Sequence, residues 1–180
     1  VEELLNSNIE YPNLIITFTP DEEIGRGTEA FNYKYYADKN CKYAYTLDGG
    51  EPNVINFENF NAASCVVTLT GKSIHPGSAK NKMINASLVA MEFNNLLPSN
   101  MVPSLTDNYE GFNHLVDISG TVSNAKLVYI IRNHDLNIFE GQKETFKDIC
   151  NYLNKKYGEG TVELHIRDSY FNMKEKVTAH

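Results

Sequence analysis

The sequence predicts an α/β chain in two parts: part of a doubly wound parallel sheet, then a compact α+β domain. Three observations predict it. Leu14-Ile15-Ile16-Thr17-Phe18 is a near-continuous apolar and β-branched run, the pattern of a strand covered on both faces. A second run, Tyr43-Ala44-Tyr45-Thr46-Leu47, follows a short helical stretch around residues 27–36, and strand, crossover and strand make a parallel βαβ unit. After about Phe57 half-covered strands alternate with amphipathic helices in the order β-α-β-β-α-β, the ferredoxin-like split βαβ arrangement.

Each element has its local reason. Pro20 ends the first strand, and Asp21-Glu22-Glu23 suits the first turn of a helix, where carboxylates meet the positive end of the dipole. Asp48-Gly49-Gly50 is a turn that stops the second strand. The stretch Ala63–Thr70 alternates like a strand covered on one face, and a helix is expected from about Asn81 to Leu97, with Ile84, Leu88 and Met91 on its inner stripe. Strands are expected at Leu115–Val122 and Lys126–Arg132. Asp135 is the N-cap of a helix carrying Phe139, Phe146, Ile149, Leu153 and Tyr157, which stops at Gly158. Thr161–Arg167 is the last strand. The boundaries so read are a partial doubly wound domain over 1–56, the α+β domain over 57–168, and the start of a return crossing over 169–180.

Composition narrows the function classes. The chain has 180 residues, 42% of them hydrophobic and 22% charged, which is globular, and its net charge of −7 argues against nucleic acid or an anionic membrane surface as partner. No apolar run reaches the length of a membrane span, and the acidic start Val1-Glu2-Glu3 lacks the basic region of a signal peptide. The chain opens without Met, which points to a start within a longer protein. Cys41, Cys65 and Cys150 form no Cys-x-x-Cys pair and read as reduced thiols of a cytoplasmic protein.

Several residues carry candidate chemistry. The parallel strands would place Glu22, Glu23 and Asp48 just past their carboxyl ends, the edge where open α/β sheets bind ligands. One carboxylate could bind a cation while its neighbour takes a proton from metal-bound water; helix-start acids are the plain alternative. His75, in Gly71-Lys72-Ser73-Ile74-His75-Pro76-Gly77, is held exposed by the following Pro-Gly turn, or is an incidental loop histidine. It has no second histidine at metal-ligand spacing, and His114, His134, His165 and His180 form no recognisable cluster. Arg132 closes the apolar run Leu127–Ile131 and could grip a carboxylate bidentately, or serve a structural ion pair. Gly25-x-Gly27 matches no phosphate-binding loop.

Longer strings carry a resemblance. Phe18-Thr19-Pro20-Asp21-Glu22-Glu23-Ile24-Gly25, Tyr45-Thr46-Leu47-Asp48-Gly49-Gly50, Phe57-Glu58-Asn59-Phe60-Asn61-Ala62-Ala63-Ser64, Ile74-His75-Pro76-Gly77, Asn108-Tyr109-Glu110-Gly111-Phe112, Tyr129-Ile130-Ile131-Arg132 and Asp168-Ser169-Tyr170-Phe171-Asn172-Met173 resemble the peptidase T family. These are cytoplasmic tripeptide aminopeptidases among the co-catalytic two-zinc metallopeptidases.

The resemblance implies a zinc-peptidase catalytic domain, present in part, followed by a lid or dimerisation domain. It implies Glu22 as general base, Glu23 and Asp48 as ligands to the two zinc ions, and His75 and Arg132 as substrate-binding lid residues. His75 would polarise the scissile carbonyl, in dimeric relatives from the partner subunit, and Arg132 would bind the substrate's C-terminal carboxylate. The partners implied are a tripeptide substrate and a second copy through the lid. The family's His-x-Asp, its bridging Asp and its late zinc-binding His have no match here, since no His precedes His75 and His180 lies too close to the Asp168–Met173 string. The isolated chain is therefore expected to be inactive and to bind zinc weakly or not at all. The alternatives are an interaction module without activity and a related two-zinc carboxypeptidase or deacylase.

Overall fold

The structure, a computed structural model, describes all residues except Val1, Gly25, Gly49, Pro52 and His180. Gly49 of the expected turn, Gly25 of the Gly25-x-Gly27 string and His180 thus lie outside the described residues. The chain divides into two compact units, Val1–Pro52 and Asn53–His180.

In the first unit the expected βαβ does not form. Its described residues carry two short helices, α1 (Glu2–Asn6) and α2 (Tyr33–Asp38), and a single 3-10 turn at Glu22–Ile24, with no strand. Asn32 caps α2 by accepting from the backbone N–H of Tyr35 at 3.1 Å. The apolar runs at 14–18 and 43–47 stay exposed, Phe18 by 92% and Leu47 by 98%. The reason is physical: a strand meant for burial on both faces is stable only between neighbouring strands and under covering helices, and two such segments alone supply neither.

The second unit follows the expected order: β1 (Asn61–Thr70), α3 (Ala86–Leu96), β2 (Phe112–Gly120), β3 (Asn124–Asn133), α4 (Leu136–Tyr157), β4 (Val162–Tyr170), and a closing helix α5 (Lys174–Thr178). The strands form one antiparallel sheet of order β2-β3-β1-β4, with β2 and β4 at its edges. Alternation sends Ala63, Cys65, Val67 and Leu69 of β1, and Leu127, Tyr129 and Ile131 of β3, into a core closed by α3 and α4. Asp135 caps α4 by accepting from the N–H of Ile138 at 2.9 Å, and Gly158 ends it at φ 119°, a conformation that suits glycine.

Two expectations for α3 are corrected. The helix starts at Ala86, because Asn85 accepts from the N–H groups of Ser87 and Leu88, while Ile84 is drawn into a bridge with Lys72. Its inner stripe is Ala86, Val89, Ala90 and Phe93, and Leu88 and Met91 are more than half exposed. The small alanines let the helix lie close to the sheet, and that turns the larger Leu88 and Met91 outward.

Polar ties lock the layers. Lys156 and Tyr157 at the end of α4 both donate to Glu92 of α3, at 2.6 Å each. The incoming and outgoing chain of the domain is joined by asparagines. The side-chain oxygen of Asn61 accepts from the N–H of Asn172 at 2.9 Å, that of Asn59 from the N–H of Met173 at 2.8 Å, and that of Asn172 from the N–H of Asn59 at 3.3 Å.

Candidate active site

The candidate residues fall in both units. Glu22 and Glu23 lie in the 3-10 turn of the first unit and are exposed, as is Asp48. The acidic pair therefore does sit in a helical first turn, but the strand ends expected to aim it do not form among the described residues. No group of three or more His, Cys, Asp or Glu side chains assembles there into a possible metal site. Two zinc ions need nitrogen donors and a bridging carboxylate besides Glu23 and Asp48, so the residues present do not by themselves fit a two-zinc centre.

In the second unit His75 tops a loop built to hold it. β1 ends at Thr70, and the N–H of the next residue, Gly71, donates to the Ser123 carbonyl at 2.7 Å. A Cβ there would lie inside contact distance of the carbonyl oxygens of Val122 and Ile84, so only glycine lets three backbone segments converge. Lys72 and Ile84 then exchange backbone hydrogen bonds at 2.7 and 3.1 Å, which pinches the loop shut. His75 caps the 3-10 turn Pro76–Ser78, its Nδ1 accepting from the N–H of Gly77 at 3.2 Å. His75 is exposed, and with Nδ1 an acceptor the neutral ring carries its proton on Nε2, free to donate.

Arg132 sits on the sheet face opposite α3 and α4. Its Nη1 donates to the carbonyls of Ala63 at 3.2 Å and Ile131 at 2.9 Å, and its guanidinium lies 5.5 Å from the centre of the Tyr170 ring. It makes no ion pair with any described carboxylate, so the structural salt bridge that was its plain alternative is not what holds it. Sequence reasoning missed Tyr170 and the asparagine ties. Both lie in strings quoted above, but what gives them a role is long-range pairing, which a single sequence does not display.

A four-stranded antiparallel sheet in this order, with two helices on one face and an exposed histidine loop, defines the class. The chain belongs to the family of the peptidase dimerisation domain, whose family model matches residues 57–161. Peptidases T are among its curated relatives. One from Caldanaerobacter subterraneus subsp. tengcongensis is 49% identical over 181 residues, covering 100% of this chain and 44% of the relative. One from Clostridium perfringens is 50% identical over 178 residues, covering 98% and 43%. The chain thus spans less than half the length of the curated relatives it matches. Among solved structures, an aminopeptidase PepT from Bacillus cereus matches with a TM-score of 0.67 at 19% identity, covering 82% of this chain and 39% of that one. A tripeptidase from Staphylococcus aureus matches at 0.54 and 15%, covering 64% and 31%. At those identities the likeness is one of fold.

Among the described residues no helix is long and apolar enough to cross a membrane. Cys41, Cys65 and Cys150 are all free thiols.

Proposed function

We propose that the complete protein is a cytoplasmic, zinc-dependent aminopeptidase that removes the N-terminal residue of tripeptides, and that these 180 residues carry part of its catalytic centre and its lid. What supports the reading is overall identity near 50% to peptidases T, in matches that cover 98–100% of the chain. Glu22 is the base that takes the proton of the attacking water, and Glu23 and Asp48 are each a ligand to one of two zinc ions. His75 presents Nε2–H to the scissile carbonyl. Arg132 receives the substrate's C-terminal carboxylate in its planar fork. The chain alone, short of the remaining donors, is inactive and retains no stoichiometric zinc.

The proposal includes a homodimer. Strand β2 is a sheet edge, Val116 and Ile118 on it are 47% and 53% exposed, and Leu88 and Met91 on α3 are 60% and 55% exposed. An apolar edge of this kind fits an isologous pairing of two β2 strands.

The test is an assay of the complete enzyme on tripeptides beside N-acyl amino acids, with metal analysis of enzyme and chain. Tripeptide hydrolysis lost in Glu22→Gln, with two zinc ions per enzyme and none in the 180-residue chain, is expected. Hydrolysis of N-acyl amino acids alone overturns the substrate, and a fully active isolated chain overturns the division of the site.

A further inference from the structure

The open face of the sheet holds a row of three residues whose alignment depends on one irregularity. Arg132 on β3 pairs with Ala62 on β1, and Ala62 pairs with Tyr170 on β4. In the regular part of the β1–β4 ladder, Ala63 faces Asp168 and Ser64 faces Arg167. Continued without a break, that register would set Ser169 opposite Ala62 and turn Tyr170 to the helix side. A bulge between Ala62 and Ala63 inserts one residue and brings Tyr170 round to the face of Arg132. Ala62, fully buried between them, is small enough for the guanidinium to reach across it.

The tail of β4 is fixed on both sides of this tyrosine. Two residues before it, Asp168 accepts from Lys143 of α4 at 2.9 Å; two residues after it, the N–H of Asn172 donates to Asn61 at 2.9 Å. The ring is therefore held where the bulge puts it. Arg132 is held as well, through Nη1, by the backbone carbonyls of Ala63 and Ile131. A guanidinium pinned along one edge and laid against an aromatic ring keeps its remaining N–H groups in a fixed plane, which is what bidentate carboxylate recognition requires.

We propose that Tyr170 is a positioning residue for Arg132, and that together they make the recess for the free α-carboxylate of a short peptide. The inference rests on the reading of Arg132 as the carboxylate receptor and goes beyond it by assigning Tyr170 and the bulge. Arg132 supplies the charge and Tyr170 supplies the orientation. A peptide ending in an amide gains nothing from either.

The experiment compares the complete enzyme with its Tyr170→Ala, Tyr170→Phe and Arg132→Ala variants on a tripeptide and on the same tripeptide C-terminally amidated. For Tyr170→Ala the KM for the free acid rises roughly three- to tenfold, the size of a half-exposed cation–π contact, while kcat and the kinetics on the amide hold. Tyr170→Phe keeps the ring face and behaves as wild type. Should Tyr170→Ala impair folding, Tyr170→Leu keeps the bulk without the π face and shows the same selective loss. Equal losses on acid and amide, or no rescue by Phe, overturn the role of Tyr170. An Arg132→Ala enzyme that still prefers acid to amide as wild type does overturns the reading of Arg132 beneath it. If Arg132→Ala abolishes that preference and Tyr170→Ala leaves it intact, the role of Tyr170 alone is refuted.

Discussion

Lys143, with a side chain only 9% exposed, donates from α4 to Asp168 of β4 at 2.9 Å and to Glu140 at 2.8 Å, with its ammonium 4.7 Å from the centre of the Phe139 ring. Burial opposes its charge, but the two carboxylates outweigh burial and raise its pKa. The pair ties α4 to β4, the edge strand that carries Tyr170. Asp168→Ala removes the cross-layer acceptor and is expected to cost about 1–2 kcal/mol in denaturant unfolding. Glu140→Ala, removing a bond within one helix, is expected to cost less than half of that.

Gly71→Ala tests the base of the histidine loop. The added methyl meets the backbone of Val122, Ile84 and Ala86, none of which can swing aside as a side chain would. The expected cost is about 1–3 kcal/mol, the range for overpacking a closed site. The His75 ring resonances should shift in the same variant, and unshifted resonances would show that the loop is held from elsewhere.

The thiols should divide sharply. Burial, with a smaller contribution from Cys150, pushes the Cys65 thiol up to about 12, and burial, with Glu159 and Glu163, raises that of Cys150. Cys41 is exposed. A thiol reagent at pH 8 should label Cys41 alone within minutes, and Cys65 and Cys150 only as fast as the domain unfolds. Rapid labelling of Cys65 in the native state would contradict a closed core.

Glu92 gives a pH signature. Hydrogen bonds from Lys156 and then Tyr157 hold its carboxyl below the ordinary 4.5. A carboxyl lower in the folded than in the unfolded chain contributes stability above its ordinary value and loses it as pH falls through the lowered one. Thermal unfolding of Glu92→Gln should therefore lie below wild type at pH 7, and the gap should close in acid. A gap constant down to strongly acidic pH would mean that packing, not the ionised carboxylate, joins α3 to α4.

The second unit was largely legible because its signals are local. Alternation marks β1 and β3, and Asp135 and Gly158 punctuate α4. The start of α3 was not, since Ile84 extends the apolar stripe while the chain spends it on the bridge to Lys72. Nor did the runs at 14–18 and 43–47 become strands, because their pattern describes an environment, two covered faces, that these residues do not themselves make. The site divides in the same way. The strings around Glu22, Asp48, His75 and Arg132 could be read one by one. The place of Tyr170 depends on a one-residue bulge at Ala62, for which the sequence carries no local sign.

The asparagine ties between 59–61 and 172–173 have a topological consequence. The backbone that leads into the sheet and the backbone that leads away from it depart from the same corner, cross-linked by side chains of the domain itself. To a surrounding protein, more than a hundred residues of folded structure thus impose hardly more geometric demand than a tight hairpin. Such a module can be grafted into a surface loop of another fold, enlarged or exchanged without disturbing the host's own strands.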